Sequence, residues 1–141
     1  MRIFNTYGPH MLSNDCRVVS KFIVKPLRSE PLTLCGSGSQ IHLFCFLDDL
    51  IESMIRPKNG NHCGPINIGS PCEFKIRRLA ELICVKVNPK LELIDRTSPL
   101  DYPRQRQLVI RLAQGELSCQ PTVPFEQGLD VATAHLKEDF S

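Results

Sequence analysis

The side chains that could do chemistry are scattered along this chain and form no complete reaction motif. Asp48 and Asp49 are adjacent carboxylates, which could share acid–base work, and His62 and Cys63 are adjacent metal-binding types. The two acids stand at the start of an apolar helical pattern, where carboxylates are favoured by the helix dipole, so we interpret them as a helix start. His62 and Cys63 have no further ligands at metal-binding spacing, so we predict no metal site.

Searches for other reactive motifs are negative. The sequence has no G-x-G-x-x-G after a strand, no P-loop, no H-E-x-x-H and no G-x-S-x-G. We interpret the run Gly36-Ser37-Gly38 as a turn. The seven cysteines are an odd number at irregular gaps without any C-x-x-C, which indicates neither a zinc cage nor a redox pair. We predict buried or incidental thiols in a reducing compartment.

Composition places the chain among ordinary globular domains. Hydrophobic residues make up 42% and charged residues 23% of the 141 residues, and the net charge is +2. The basic residues are dispersed, so we predict no nucleic-acid partner. No apolar run approaches the roughly 18 residues of a spanning helix. We therefore expect no membrane segment and a cytoplasmic location.

The elements that must position these side chains alternate between strand and helix, which predicts one small α/β lobe. Strands are predicted at 2–5, 32–35, 41–46, 65–69 and 91–94, and helices at 17–28, 48–56, 75–87, 109–117 and 125–136. The strands at 32–35 and 41–46 are close enough in sequence to pair as a hairpin. The helix after Asp48 is expected to hold four apolar residues on one face, which are Leu50, Ile51, Met54 and Ile55.

Four stretches of the sequence resemble segments of one enzyme family. RIFNTYGPHM at 2–11 is similar to the segment that closes the family's nucleotide-binding half. LSNDCRVVSKFI at 12–23 resembles the family's N-D-G-R-V-V-S-N-F-I. PLTLCGSGSQIHLFCFLDDL at 31–50 resembles P-L-T-V-Y-G-x-G-x-Q-T-R-x-F-x-Y-V-D-D-L. PRQRQLVIRLAQGELSCQPTVPFEQGL at 103–129 is similar to the family's last substrate-binding segment. Together these stretches resemble the UDP-glucuronate decarboxylases (UDP-xylose synthases), which are extended short-chain dehydrogenase/reductases.

The resemblance implies a fold and a task for the chain. The expected fold is the C-terminal substrate-binding lobe of an extended Rossmann-type short-chain dehydrogenase, carrying the last part of the nucleotide-binding sheet at its N-terminus. Residues 1–16 would be the remnant of the nucleotide-binding half, and residues 17–141 the lobe. The family uses NAD to convert UDP-glucuronate to UDP-xylose, so a UDP-sugar is the expected ligand. A homodimer is expected for the complete enzyme, and the Golgi lumen is the alternative compartment for eukaryotic members.

The same resemblance assigns site residues. Thr6 and Arg17 match positions on the NAD side of the cleft. The substrate-binding positions are Asn5, His42, Asn67 and Arg106. His42 stands where the family has an arginine that pairs with the diphosphate. Cys35 stands where an aromatic residue packs near the base, and a thiol offers no stacking face. We therefore expect weakened nucleotide binding.

Catalysis by the chain alone is not expected. The family's general base is the tyrosine of Tyr-x-x-x-Lys, and neither Tyr7 nor Tyr102 has a lysine four positions later. Pro26 falls inside a predicted helix at a cost of about 3 kcal/mol, which predicts a marginally stable lobe. Three hypotheses remain open. The chain is a truncated copy of the decarboxylase, a non-catalytic lobe that binds nucleotide sugars or pairs with a full-length subunit, or part of a related 4,6-dehydratase or epimerase.

Overall fold

The computed structural model of this protein describes residues 2–55, 64–70, 73–97, 111–117 and 121–140. The strands are β1 (Arg2–Ile3), β2 (Thr6–Tyr7), β3 (Leu32–Cys35), β4 (Ile41–Leu43), β5 (Cys45–Phe46), β6 (Asn67–Ile68), β7 (Glu73–Lys75) and β8 (Leu93–Arg96). The helices are α1 (Val18–Leu27), α2 (Leu47–Ile55), α3 (Ile76–Val87), α4 (Arg111–Leu117) and α5 (Phe125–Glu138). The predicted α/β class is confirmed.

The strands pair with partners that are distant in sequence. β1 lies parallel to β6, β2 parallel to β5, and β3 parallel to β8, while β4 runs antiparallel to β7. The apolar side chains of β3 alternate, so that Leu32 and Leu34 are buried while Cys35 is exposed. The first turn of the chain is held by β5, because the amide of Cys45 donates to the carbonyl of Asn5.

The predicted hairpin between residues 32–35 and 41–46 is wrong, because these strands pair elsewhere. The connecting loop turns through Gly36 and Gly38, whose φ angles of 65° and 67° lie in the left-handed region. A side chain on Gly38 would meet Cβ of Arg77 at 3.0 Å. The loop is thus seated on the start of α3, where Arg77 donates its amide to the Gly38 carbonyl. This contact directs β4 toward β7, a strand that the local sequence pattern does not predict.

The main core lies between α1, α3, α5 and the first residues of β3. Its fully buried members include Ile23, Leu32, Leu79, Ile83, Leu129 and Leu136. The helical positions recur every three or four residues or at multiples of that spacing, as the predicted periodicity requires. Pro26 is buried inside α1, one residue before its end, so only the last turn of the helix lacks the amide donor that a proline cannot supply.

A second, smaller core is formed by Cys45, Leu50, Ile66, Ile68 and Ala113. It accounts for the burial of Leu50 of α2. The other apolar residues predicted on the same face, Ile51, Met54 and Ile55, are each about half exposed. A helical pattern predicts which residues share a face but does not predict whether another element covers it.

Within the described ranges, none of the helices α1 to α5 is both long enough and apolar enough to cross a bilayer.

Candidate functional site

A cavity of about 200 Å³ opens between α1, β3 and β4. Its lining residues are Cys16, Val18, Lys21, Phe22, Lys25, Thr33, Cys35, Gln40, His42 and Ile76. Two lysines and a histidine are among these ten described residues, whereas no carboxylate is. We call this the cationic cavity. Its charge suits an anionic ligand, because an opposite charge that is partly screened from water is attracted more strongly than in bulk solvent.

Helix α1 supplies the two lysines of the cationic cavity. Lys21 and Lys25 lie one helical turn apart and therefore project from the same face. Ile23, which does not line the cavity, anchors the helix in the main core. Lys25 is fixed further, because its Nζ donates to Thr33 Oγ1 at 3.2 Å. The helix thus holds both ammonium groups at the cavity without using their charge in an ion pair with a lining residue.

The opposite wall is the end of β3 and the loop that follows it. Gln40 Nε2 donates to the carbonyl of Cys35 at 2.6 Å, which closes the loop on itself. Arg77 fastens the loop from outside, because its Nε donates to the Ser37 carbonyl at 2.7 Å. The same guanidinium binds both oxygens of Asp95 on β8, at 2.7 and 2.8 Å. Cys35 is therefore presented by a well-braced turn.

His42 connects the cationic cavity to a second cavity of about 240 Å³. The second cavity is lined by Ile3, Phe4, Asn5, Ile41, His42 and Leu43. The imidazole of His42 stacks on Phe44, with ring centroids 6.0 Å apart and planes inclined by 28°. The structure thus brings together two residues that were assigned to substrate binding, Asn5 and His42.

Thr6 and Arg17, the two positions assigned to the NAD side, also lie together. Arg17 Nη1 donates to the Thr6 carbonyl at 3.2 Å, and Arg17 Nε forms an ion pair with Asp15 at 3.2 Å. The hydroxyl oxygen of Thr6 is buried and has no hydrogen-bond partner among the described residues. Asn5, beside them, is exposed and has a φ of 33°, a left-handed conformation that asparagine tolerates better than most residues.

The remaining assigned residues lie apart or outside the described chain. Asn67 is half-buried in β6, where it pairs with Arg2 of β1, and it is not among the described residues that line either cavity. Arg106 lies outside the described residues, as do His62 and Cys63. Within the described residues, no three His, Cys, Asp or Glu side chains gather as a metal site.

The structural role of Asp49 was not predicted from the sequence. This carboxylate is 7% exposed and accepts three hydrogen bonds, from the Thr122 amide at 2.9 Å, the Thr122 hydroxyl at 2.8 Å and the Val123 amide at 3.2 Å. It ties the start of α2 to the segment that leads into α5. The only sequence signal was an acid beside a helix start, which is explained as well by the helix dipole.

The lysines of the cationic cavity were missed for a similar reason. Lysines on an amphipathic helix usually belong to its solvated face, so neither Lys21 nor Lys25 stands out along the chain. Their i, i+4 spacing was a detectable signal that they share a face. Nothing in the sequence indicated that this face lies against β3 and β4.

The comparisons with known proteins identify the family. The model of the NAD dependent epimerase/dehydratase family matches residues 1–69. The chain is 43% identical over 139 residues to UDP-glucuronic acid decarboxylase 3 of Arabidopsis thaliana, an alignment that covers 99% of this chain and 40% of that protein. The chain belongs to the NAD-dependent epimerase/dehydratase family. The resemblance stated from the sequence is confirmed.

A second curated member of the family gives the same result. Over 129 residues the chain is 40% identical to UDP-glucuronic acid decarboxylase 1 of Danio rerio, an alignment that covers 92% of this chain and 31% of that protein. The chain thus spans less than half the length of the curated relatives it matches.

Solved structures of this family share the fold. UDP-glucose 4-epimerase of Thermotoga maritima superposes with a TM-score of 0.91 at 21% identity, covering 99% of this chain and 46% of that one. UDP-glucuronic acid 4-epimerase of Bacillus cereus, solved with UDP-glucuronic acid and NAD, gives a TM-score of 0.85 at 25% identity, with coverages of 97% and 44%. The predicted Rossmann-type short-chain dehydrogenase relationship is therefore confirmed.

Proposed function

We propose that this chain is the nucleotide-sugar-binding part of an NAD-dependent UDP-glucuronate decarboxylase, an enzyme that forms UDP-xylose. The observation that carries the proposal is the cationic cavity, which two lysines and a histidine line without any carboxylate among its described residues. The curated relatives are decarboxylases of UDP-glucuronic acid, a ligand that carries two phosphates and a carboxylate. An anion-attracting cavity in the matched segment is what such a ligand requires.

We assign complementary tasks to the walls of the cavity. Lys21 and Lys25 would neutralise the diphosphate, and His42 would contact it from β4, between the two cavities. Asn5 would donate its side-chain amide to the diphosphate or the sugar in the second cavity. Cys35 would face the base without stacking on it. Asn67 and Arg106 stay predictions, and Arg106 is proposed to act as a planar donor to paired oxygens.

The residues on the NAD side fit a polar ligand. The buried Thr6 hydroxyl has no hydrogen-bond partner among the described residues, which is costly unless a further group meets it. The adjacent Arg17 is a cation that is 58% exposed at its side chain. We propose that Thr6 and Arg17 form part of the NAD contact. When bound, NAD supplies the hydride acceptor and donor of the family's chemistry, while the residues of this chain would orient the ligand and exclude water from one side of it.

The proton-transfer residues are proposed to come from outside this sequence. Tyr7, one of the two tyrosines, is 2% exposed and donates its hydroxyl to the Phe125 carbonyl at 3.1 Å. It is therefore a core residue, and no lysine follows it at the spacing of Tyr-x-x-x-Lys. We propose that residues 17–141 bind the nucleotide sugar, that residues 1–16 belong to the edge of the nucleotide-binding half, and that the chain alone is inactive.

A 4-epimerase is the second candidate, because a UDP-glucuronic acid 4-epimerase is among the structural neighbours at 25% identity. The two reactions share oxidation of the sugar and diverge after it, since the decarboxylase loses CO2 and the epimerase inverts C4. Homodimerisation and a cytoplasmic location remain proposals that accompany either function.

Calorimetric titration of the chain with UDP and with UDP-glucuronate tests the binding proposal. We expect saturable binding of both ligands, weakened by the double change Lys21→Gln/Lys25→Gln and unchanged by Lys90→Gln at an exposed turn position. No binding up to millimolar ligand would reject the proposal.

A second test distinguishes the two candidate reactions. It joins this chain to the missing residues of an Arabidopsis relative and analyses the product from UDP-glucuronate. UDP-xylose with release of CO2 supports the decarboxylase, whereas an epimeric uronic acid supports the 4-epimerase.

A further inference from the structure

Two thiols lie on the cationic cavity. Cys16, in the segment that leads into α1, and Cys35, at the end of β3, both line it and are both exposed and free. They come from opposite walls, yet they share the same surroundings. A ligand that enters the cavity would therefore lie beside both residues.

The charge around these thiols selects for anions. Lys21, Lys25 and His42 line the same cavity, and no carboxylate is among its described lining residues. A cleft of one sign of charge raises the local concentration of oppositely charged small molecules. Exposed cysteines in electropositive surroundings are also the cysteines that react, because the thiolate is the nucleophile.

The other described cysteines provide an internal contrast. Cys45 is 2% exposed, and burial together with the nearby Asp49 carboxylate raises its pKa to about 11. Cys84 is also buried, and burial raises its pKa as well. These two thiols are protected from both solvent and ionisation, so the described part of the chain contains two exposed and two buried thiols.

We propose that Cys16 and Cys35 form a modification site for small anionic disulfides, of which oxidised glutathione is the biological example. The Sγ thiolate attacks one sulfur of the disulfide, so that a protein mixed disulfide forms and the original S–S bond breaks. The released half leaves as a thiolate, and the proton of the cysteine goes to solvent. The protein sulfur is oxidised and the released sulfur is reduced, so the disulfide itself is the oxidant.

Modification and nucleotide binding should exclude one another. This consequence rests on the proposed function, because it requires that the UDP moiety occupies the cationic cavity. A mixed disulfide at Cys35 would fill a cavity of about 200 Å³, leaving no room for a second ligand.

The test compares two disulfide reagents on the intact chain. 5,5′-Dithiobis(2-nitrobenzoate) is anionic and 2,2′-dithiodipyridine is neutral, and peptide mass spectrometry resolves the rate at each cysteine. For each cysteine, the rate with the anionic reagent is divided by the rate with the neutral reagent, and the same ratio is measured for an uncharged small thiol in solution. At low salt this ratio should be about fivefold higher for Cys16 and Cys35 than for the small thiol, and high salt should remove the difference. Cys45 and Cys84 should stay unmodified while circular dichroism reports a folded chain.

Lysine variants test whether the charge of the cavity causes the preference for the anionic reagent. Lys21→Gln/Lys25→Gln should abolish it, whereas Lys90→Gln should leave it intact. Equal preference for the two reagents at Cys16 and Cys35, or modification of Cys45 at a comparable rate, would overturn the proposal.

A parallel arm with UDP separates this inference from the proposed function. If UDP protects Cys16 and Cys35 from the reagents, both the modification site and the proposed nucleotide function are supported. An anionic preference without any calorimetric UDP binding keeps the modification site and rejects the nucleotide function. UDP binding without an anionic preference keeps the function and rejects the modification site.

Discussion

The aromatic cluster around Tyr7 and the cationic cavity around His42 lie next to each other but are built in opposite ways. Tyr7 contacts Phe46 and Phe125 at centroid distances of 5.6 and 5.0 Å, and its hydroxyl is hydrogen-bonded. The cationic cavity instead has exposed thiols and a loop braced from outside. His42 and Phe44, stacked on one another, lie where the two regions meet.

The difference between these regions shows where sequence change is tolerated. In the aromatic cluster, each side chain fills space that its neighbours leave, so a change of volume costs stability. In the cationic cavity, Cys35 is exposed and His42 half-buried, so substitutions at these positions cost little packing. Changes in the cluster should therefore alter stability, and changes in the cavity should alter ligand binding.

The largest expected effect lies in the aromatic cluster, at Gly128 of α5. A Cβ there would lie 2.5 Å from the Tyr7 hydroxyl and 2.7 Å from Cδ2 of Phe46. Gly128→Val should therefore lower the free energy of unfolding by about 3–4 kcal/mol, measured by urea denaturation. Gly115→Ala in α4 is the matched control, because nothing lies within 4 Å of its Cβ and alanine favours a helix by up to about 1 kcal/mol. Equal effects of the two changes would contradict the close packing.

The second largest expected loss of stability follows from removing the Asp49 carboxylate. Asp49→Ala leaves the Thr122 and Val123 amides without their acceptor, which should cost about 2–3 kcal/mol in urea denaturation. Asp48→Ala, at an exposed position of the same helix turn, should cost less than about 0.5 kcal/mol. If the two changes destabilise the chain equally, Asp49 acts only through the helix dipole.

A smaller effect is the pH dependence of stability due to Cys45. Its folded pKa is raised from 9.0 to about 11, mainly by burial, so the folded state retains a proton that the unfolded state releases. The resulting stability is fully present below pH 9 and is lost as the pH rises from about 9 to about 11. Cys45→Ala should flatten the decline in thermal melts across this window. A decline of identical slope in Cys45→Ala would assign the pH dependence to other groups.

The smallest effect is expected in the cavity, at His42. His42→Arg introduces a permanent charge and a planar donor fork where the resemblance implies an arginine, so UDP affinity should rise by about threefold in calorimetry. The free energy of unfolding should change by less than about 0.5 kcal/mol. His10→Arg adds the same charge but lies outside the lining of both cavities, so it should leave affinity unchanged. A threefold gain from His10→Arg would show that net charge alone sets the affinity.

Part of the fold and of the site could be predicted from local patterns. The bounds of α1 and α5 followed from apolar spacing, and Asn5 with His42 followed from the resemblance and do line one cavity. The pairing of β3 could not be predicted, because short strands of similar composition are compatible with several partners. The exposure of Ile51 could not be predicted either, because it depends on whether another element packs there.

The sequence by itself determined the family, the order of helices α1 to α5, and the absence of Tyr-x-x-x-Lys from these 141 residues. Motifs and apolar periodicity are local properties, so they can be read along the chain. Only the tertiary structure decided that β3 pairs with β8, that Asp49 holds residues 122 and 123, and that Lys21 shares a cavity with Cys35. These contacts join residues that are distant in sequence, and their energies depend on burial and distance, which no local pattern specifies.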